Sequence, residues 1–347
     1  MSDAEWTPVL NGIPAPGNTF VLPEHKMVYV SVTKVACTSL RWMVADLVGE
    51  DLESFHTGLA AHETRLMTIH RNRTHWQKSP QLFEIPTSER GPISRDNGWL
   101  IFAVVRDPWS RLWSAWQSKF LVRHPYYLKH YGEADWFPRV SGTQKDVVED
   151  FARFVFAAPW LSDERLAEDV HFRTQTYSVR PHGINYTRIY DLRRLDELFA
   201  DIHTQLQGLG KDQELYLPRA NETPLPMIPA VLEGGVAEAI ERLYHEDFEE
   251  LGDGWSLDRV KMKADSWTPD AIEHAAYHSV ANERIADLSA QARSLEKQLA
   301  RSEDRQEELA ATVRELRARD RARLVRRVRR KVGRIVGRAT TARTGAR

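Results

Sequence analysis

Five side chains in this sequence could do chemistry on anions, and they come in two groups. Lys34, Thr38 and Ser39 lie in TKVACTSL, residues 33–40; Arg106 and Ser114 lie in RDPWSRLWSAW, residues 106–116. An ammonium supplies a full charge, hydroxyls supply donors, and a guanidinium grips a phosphate with two parallel hydrogen bonds. Histidines are also dense between the two groups, at His56, His62, His70 and His75, with His171 further on. Their ordinary pKa suits proton transfer near neutrality; the alternative is that most are solvated loop residues. No Cys/His cluster has metal-ligand spacing, so no metal is expected. The single cysteine, Cys37, allows no internal disulfide.

These residues must be positioned by strands that turn directly into helices. Residues 27–32 are apolar and valine-rich and include Tyr29, which reads as a buried parallel strand. Leu40, Met43, Val44 and Leu47 then recur at i, i+3, i+4 and i+7 on one helix face. Such a strand-to-helix turn aims unpaired N–H groups and the positive dipole end at one point, where a phosphate or sulfate can sit. The turn has none of the glycines of the ATPase loop GxxxxGK[ST]. Residues 99–105 form the second strand, after Asn97-Gly98, and Pro108 suits the first turn of the next helix. If the strands are parallel neighbours, Arg106 emerges at the same sheet edge as Lys34. Ser114, eight residues on, comes back to that face after about two turns. A third strand over 184–190 and a helix from Asp191 repeat the unit. Three such units predict an α/β fold, a P-loop-like, mostly parallel sheet flanked by helices. Trp109, Trp113 and Trp116 share a helix face and read as core. The broken aromatic stretch with Tyr126, Tyr127, Tyr131, Trp136 and Phe137 reads either as ordinary packing or as the wall of a groove for a sugar.

The run Lys34-x-Ala36-Cys37-Thr38-Ser39-Leu40 resembles the 5'-phosphosulfate loop of the carbohydrate sulfotransferases that use 3'-phosphoadenosine 5'-phosphosulfate (PAPS). FAVVRDPWSRLWSAWQSKF, residues 102–120, resembles the 3'-phosphate motif of the same family, Arg-Asp-Pro-x-x-Arg-x-x-Ser-Ala-aromatic. The two stand in the family's order and spacing. The resemblance is to the family-2 type, related to the chondroitin/dermatan and HNK-1 sulfotransferases, in a bacterial-style member. It spans about residues 26–254 and is thin outside the two motifs. It includes an acid-x-His-aromatic-x-x-Gln run at Asp169, His171, Phe172 and Gln175, the Asn221 of LPRANETP, and a Tyr-x-x-Asp-Phe ending at Tyr244, Asp247 and Phe248. Thr33 replaces a usual proline and Val35 a smaller residue, which leaves the fine shape of the first loop open.

The resemblance implies a PAPS-dependent enzyme that needs no metal and leaves 3'-phosphoadenosine 5'-phosphate. Lys34, Ala36, Cys37, Thr38 and Ser39 would hold the 5' end and Arg106 and Ser114 the 3'-phosphate, with Asn221 a weaker contact. In-line transfer to a hydroxyl of a carbohydrate or glycolipid needs a general base, for which His70 stands first and His62 and His171 behind it. Two rivals from other classes remain: an idle nucleotide fold on a coiled-coil scaffold, and an ATP-magnesium kinase.

Charge divides the chain. The whole carries −1, but residues 317–347 hold 12 arginines and one lysine against Asp320 alone, leaving −13 on the rest. Four parts are expected: an irregular lead-in over 1–25, the PAPS-binding domain over 26–265, a coiled coil over 270–318 and a basic amphipathic tail over 319–347. Ile285, Leu288, Ala292, Leu295, Leu299, Ser302, Gln306, Leu309, Val313 and Leu316 fall on heptad a and d positions, which predicts a homo-oligomer. Beyond them Leu324, Val325, Val328, Val332, Ile335 and Val336 form an apolar stripe among arginines. That reads as a helix on an anionic membrane surface, ahead of nucleic acid as the partner. No run reaches the ~20 apolar residues of a membrane span and no signal pattern opens the chain. The expectation is a cytoplasmic enzyme, peripheral at the inner membrane face.

Overall fold

The computed structural model describes residues 18–56, 65–70, 73–140, 142–220, 223–262 and 264–344; for Thr87 and residues 334–344 it describes the backbone alone. It divides into two units, Met1–Ala286 and Asp287–Arg347.

The first unit is built on a four-stranded sheet in the order β1 (Thr19–Leu22), β2 (Met27–Val30), β3 (Leu100–Val105), β4 (Arg188–Asp191). β2, β3 and β4 are parallel, with Val30 opposite Ala103 and Val105 opposite Asp191. The apolar runs of β2 and β3 are buried at every residue, as a sheet covered on both faces requires. α1 (Cys37–Leu47) follows β2 and α2 (Pro108–Trp116) follows β3. After a short helix over Pro125–Tyr131 comes α3 (Gln144–Ala157), and α4 (Leu195–Gly208) follows β4 through a short 3₁₀ turn. α5 (Val236–Leu243) packs against α2 and α3.

The α/β architecture is the one the periodicity implies, with corrections at its ends. The lead-in is not irregular to residue 25: Thr19–Leu22 is a fully buried strand, antiparallel to β2. A four-residue strand is too short to show a period. It forms because Phe20 packs on Tyr29 and Trp76, with centroids 6.1 and 4.5 Å apart, and because the Gln81 side chain accepts from the Thr19 N–H at 2.8 Å. The sheet is therefore mixed, and β1 covers an edge of β2 that would otherwise be open. β4 is shorter than residues 184–190; Ile184 is buried in a turn that precedes it.

The three tryptophans of α2 are core, as their spacing predicts. Trp113 stacks on Trp116 at 5.3 Å and on Trp267 at 5.8 Å, and Trp109 donates to the Ala237 carbonyl. The aromatic stretch divides. Tyr127, Tyr131 and Phe137 are buried around Phe120, so they pack rather than line a groove, whereas Tyr126 is half exposed.

α6 runs Pro269–Thr344. Ile272, Ala275 and Ser279 of its first turns are buried, Ser279 and Asn282 donate to the carbonyls of Leu121 and Val122, and Glu283 pairs with Arg123. The opening of the expected coiled coil is thus part of the first unit, because its apolar residues already have a surface to cover. In the second unit, by contrast, Leu288, Leu295, Leu299, Leu309, Val313, Leu316, Leu324, Val325, Val328 and Val332 are all exposed.

Candidate active site

β2 and β3 are parallel and adjacent, so the loops that follow them leave the sheet at the same edge. A cleft of about 570 Å³ opens there, lined by Lys34, Ala36, Cys37, Thr38, Arg106 and Ser114, with Leu192, Ala220, Thr223 and Pro226. Both anion motifs therefore face one cavity. Ser39 is buried beside it and does not line it. His62 and Asn221 lie outside the described residues, although Ala220 and Thr223 on either side of Asn221 line the cleft.

The first loop makes its turn without glycine. Lys34 and Ala36 both adopt left-handed backbone, φ 70° and 60°, a conformation that non-glycine residues rarely hold and that carries a strain of order 1 kcal/mol each. Ala36 caps α1 and has no side chain that can accept a hydrogen bond. The first N–H groups of α1 thus lack the usual side-chain cap, and their partner must come from elsewhere. An anion in the cleft would supply it.

Lys34 is packed among cations. Its Nζ donates to Ser118 Oγ at 3.0 Å and forms no ion pair among the described residues. Burial, then the charge of Lys119, pushes its pKa down to about 7. Ser118 and Lys119 belong to a single π turn, Gln117–Leu121, that continues α2. Gln117 anchors this wide turn, donating to the Leu225 carbonyl and accepting from the Leu225 N–H. π turns of this kind occur preferentially at functional sites.

Arg106 is held by its backbone. The Gln175 side chain accepts from the Arg106 N–H at 3.0 Å and donates to the Arg106 carbonyl at 2.8 Å. Gln175 also donates to the buried Asp247, which in turn accepts from Thr176. The Arg106 guanidinium forms no ion pair among the described residues; of the nearby carboxylates, Asp107 caps α2 through the Ser110 N–H, and Asp191 is engaged by Arg193 and Trp255. Two cations without carboxylate partners share a cleft, and a polyanion is what such a cleft accepts.

Two histidines stand beside it. His70 Nε2 is 2.9 Å from Thr38 Oγ1. Burial, followed by the charges of Arg41, His171, Lys119 and Lys34, pushes its pKa down to about 2. His171 Nδ1 meets Asp169 Oδ1 at 2.6 Å, and Tyr127 donates to the other carboxylate oxygen at 2.5 Å. Burial and Lys119 hold His171 down to about 4 against the pull of Asp169. Burial opposes ionisation of Asp169, but the hydrogen bonds from His171 and Tyr127 prevail and hold it at about 2. His56 and His75 are packing residues, against Trp42 and Phe55.

One buried arginine ties these pieces together. Arg111, 1% exposed, donates to the carbonyls of Thr33 at 3.1 Å, Arg173 at 2.8 Å and Val170 at 2.9 Å. It joins the first loop to the segment that carries His171. Sequence reasoning assigned no task to Arg111, Gln175 or Asp247, although each stands inside a motif quoted for the resemblance.

At the carboxyl edge of the parallel strands of this mixed sheet, an uncapped helix and two cations with no ion pair among the described residues make an α/β protein with an anion-compatible cleft at a strand-to-helix turn. The comparison with known families agrees: a family model described as the sulfotransferase family matches residues 17–252. The chain belongs to the sulfotransferase family, transferases that move sulfuryl groups. No curated protein and no solved structure matches it.

Proposed function

We propose that this enzyme transfers the sulfuryl group of PAPS in line to a hydroxyl of a carbohydrate or glycolipid. The observation that carries this reading is the common cleft of Lys34, Thr38, Arg106 and Ser114. PAPS supplies the activated sulfuryl group and carries phosphate at both ends, and the residues present fit those ends. Lys34, Thr38 and the uncapped N–H groups of α1 suit the 5' side, where charge develops on the leaving oxygen. Arg106 and Ser114 suit the 3'-phosphate, which ATP lacks, and fix the orientation.

Of the two candidate bases among the described residues, the environment favours His171 over His70 as the one that takes the acceptor proton. Asp169 accepts from Nδ1, which leaves Nε2 free of its proton, and the carboxylate stabilises the imidazolium as it forms. Among the described residues His70 has no carboxylate partner, and four cationic or titratable neighbours oppose its protonation. Its contact with Thr38 suits a residue that positions that hydroxyl.

The tail extends the reading. Exposed Leu324, Val325, Val328 and Val332 in a segment, residues 317–347, of net charge +12 support attachment to an anionic membrane surface, since a regular apolar stripe serves lipid and not a nucleic-acid backbone. No helix among the described residues is long and apolar enough to cross a membrane.

The deciding experiment is incubation of the full chain with ³⁵S-labelled PAPS and a cell-derived acceptor pool. The expected result is label on a carbohydrate-containing product, lost in Lys34→Ala, and thermal stabilisation by 3'-phosphoadenosine 5'-phosphate but not by ATP with magnesium. Stabilisation by ATP-magnesium alone would favour a kinase. Binding without transfer to any pool would favour a scaffold.

A further inference from the structure

The second unit is a long helix with an uncovered apolar seam. Leu288, Leu295, Leu299, Leu309, Val313 and Leu316 are between 43% and 64% exposed. They recur every 3.5 residues, and the seam stops where the next a and d positions become Asp320 and Arg323. A helix of this length is sustained in water chiefly by covering such a face. The seam lies beyond residues 17–252, so nothing in the family match accounts for it.

We propose that a second copy of this chain covers it, as a parallel, in-register, two-stranded coiled coil over residues 285–316. The two polar core positions select the orientation. In a parallel pair Ser302 meets Ser302 and Gln306 meets Gln306, so each polar side chain has a polar partner. In the antiparallel pair that overlaps the same seam, Gln306 faces Leu295 and Ser302 faces Leu299, and two polar groups are buried against leucine. The flanking charges agree. The antiparallel arrangement sets Glu296 against Glu303 and Arg284 against Arg319, whereas the parallel one sets Gln291 beside Glu296 and Gln298 beside Glu303, with no like charges opposed. Leucine at d positions 288, 295, 309 and 316, with β-branched Ile285 and Val313 at a, fits two strands rather than three or four. Pairing in this sense also brings the two basic tails to one end of the rod, which doubles the charge available to an anionic surface. The proposal is independent of the donor and the acceptor.

Light scattering on the full chain should give twice the 40.0 kDa monomer mass. In a Cys37→Ser background, Leu288→Cys should cross-link to itself under mild oxidation, while Leu288→Cys mixed with Val313→Cys should give no mixed product. Leu295→Asp with Leu309→Asp should halve the mass and leave the main thermal transition in place. A monomeric wild-type chain would mean that the helix covers its seam in some other way and would overturn the proposal. So would a trimeric or tetrameric mass, a Leu288–Val313 cross-link, or a dimer that survives the double aspartate variant.

Discussion

The two strand-to-helix turns of the cleft solve the same problem in opposite ways. After β2 the chain passes through left-handed Lys34 and Ala36 into a helix with no side-chain cap, so strain is stored and N–H groups are left open. After β3 the chain has no such residue, and Asp107 accepts from the Ser110 N–H at 2.7 Å, so α2 caps itself. What the second turn offers is side chains, Arg106 and Ser114, with the Arg106 backbone held by the Gln175 clamp. On the proposed reading, the first turn responds to charge that develops during reaction, and the second holds a fixed charge in place. An open helix end gains most from an anion that grows in the transition state. A guanidinium on a clamped backbone gives affinity and orientation.

The comparison is broken most severely by exchanging the roles. Lys34→Ala should lower kcat about a thousandfold while 3'-phosphoadenosine 5'-phosphate still binds within about tenfold of wild type, whereas Arg106→Ala should weaken that binding about 10–100-fold with the smaller loss in kcat. Titration calorimetry and initial rates read both. Equal effects on binding and kcat in the two variants would remove the distinction. Ala36→Asp gives α1 the cap it lacks and sets a carboxylate in the cleft. It should weaken donor binding by at least about a hundredfold while the thermal midpoint stays within a few degrees of wild type. A fall in stability with unchanged donor binding would show that the bare helix end is not the anion site.

The pH dependence sharpens the contrast further. Only protonated Lys34 attracts phosphate, and its pKa in the free protein is about 7. A bound anion raises that pKa, so binding takes up a proton above pH 7, and affinity should fall up to about tenfold per pH unit as pH rises through that range. Lys34→Arg should abolish this slope. The slope should persist in Arg106→Ala, since arginine stays charged throughout. The smallest effect is expected at the capped turn. Asp107→Ala removes one cap, worth about 1 kcal/mol, and should lower the thermal midpoint by about 2–4 °C.

Much of this was legible in the chain. The valine-rich strands, the periodic helices and the two motifs predict the sheet edge at which Lys34 and Arg106 meet, because strand and helix periods depend on residues close in sequence. β1 was not legible, since four residues show no period and Gln81, which fixes its first residue, lies 62 positions on. Nor could the surroundings of the histidines, among which the sequence puts His70 first, be read. His70 and His171 differ through Asp169, Tyr127, Arg41 and Lys119, which folding brings together from separate segments.

The sequence by itself determined where charge is carried: two anion motifs in a family-typical order, a heptad seam and a basic tail, each written in neighbouring residues. Tertiary structure decided what holds those charges at work. Arg111 reaches the Thr33 carbonyl across 78 positions and Gln175 reaches Arg106 across 69. Contacts over such separations depend on how helices pack on the sheet, and no local spacing encodes them. The left-handed turn that leaves α1 uncapped is also a product of the fold, since alanine and lysine do not prefer that conformation and keep it only when the surrounding structure imposes it.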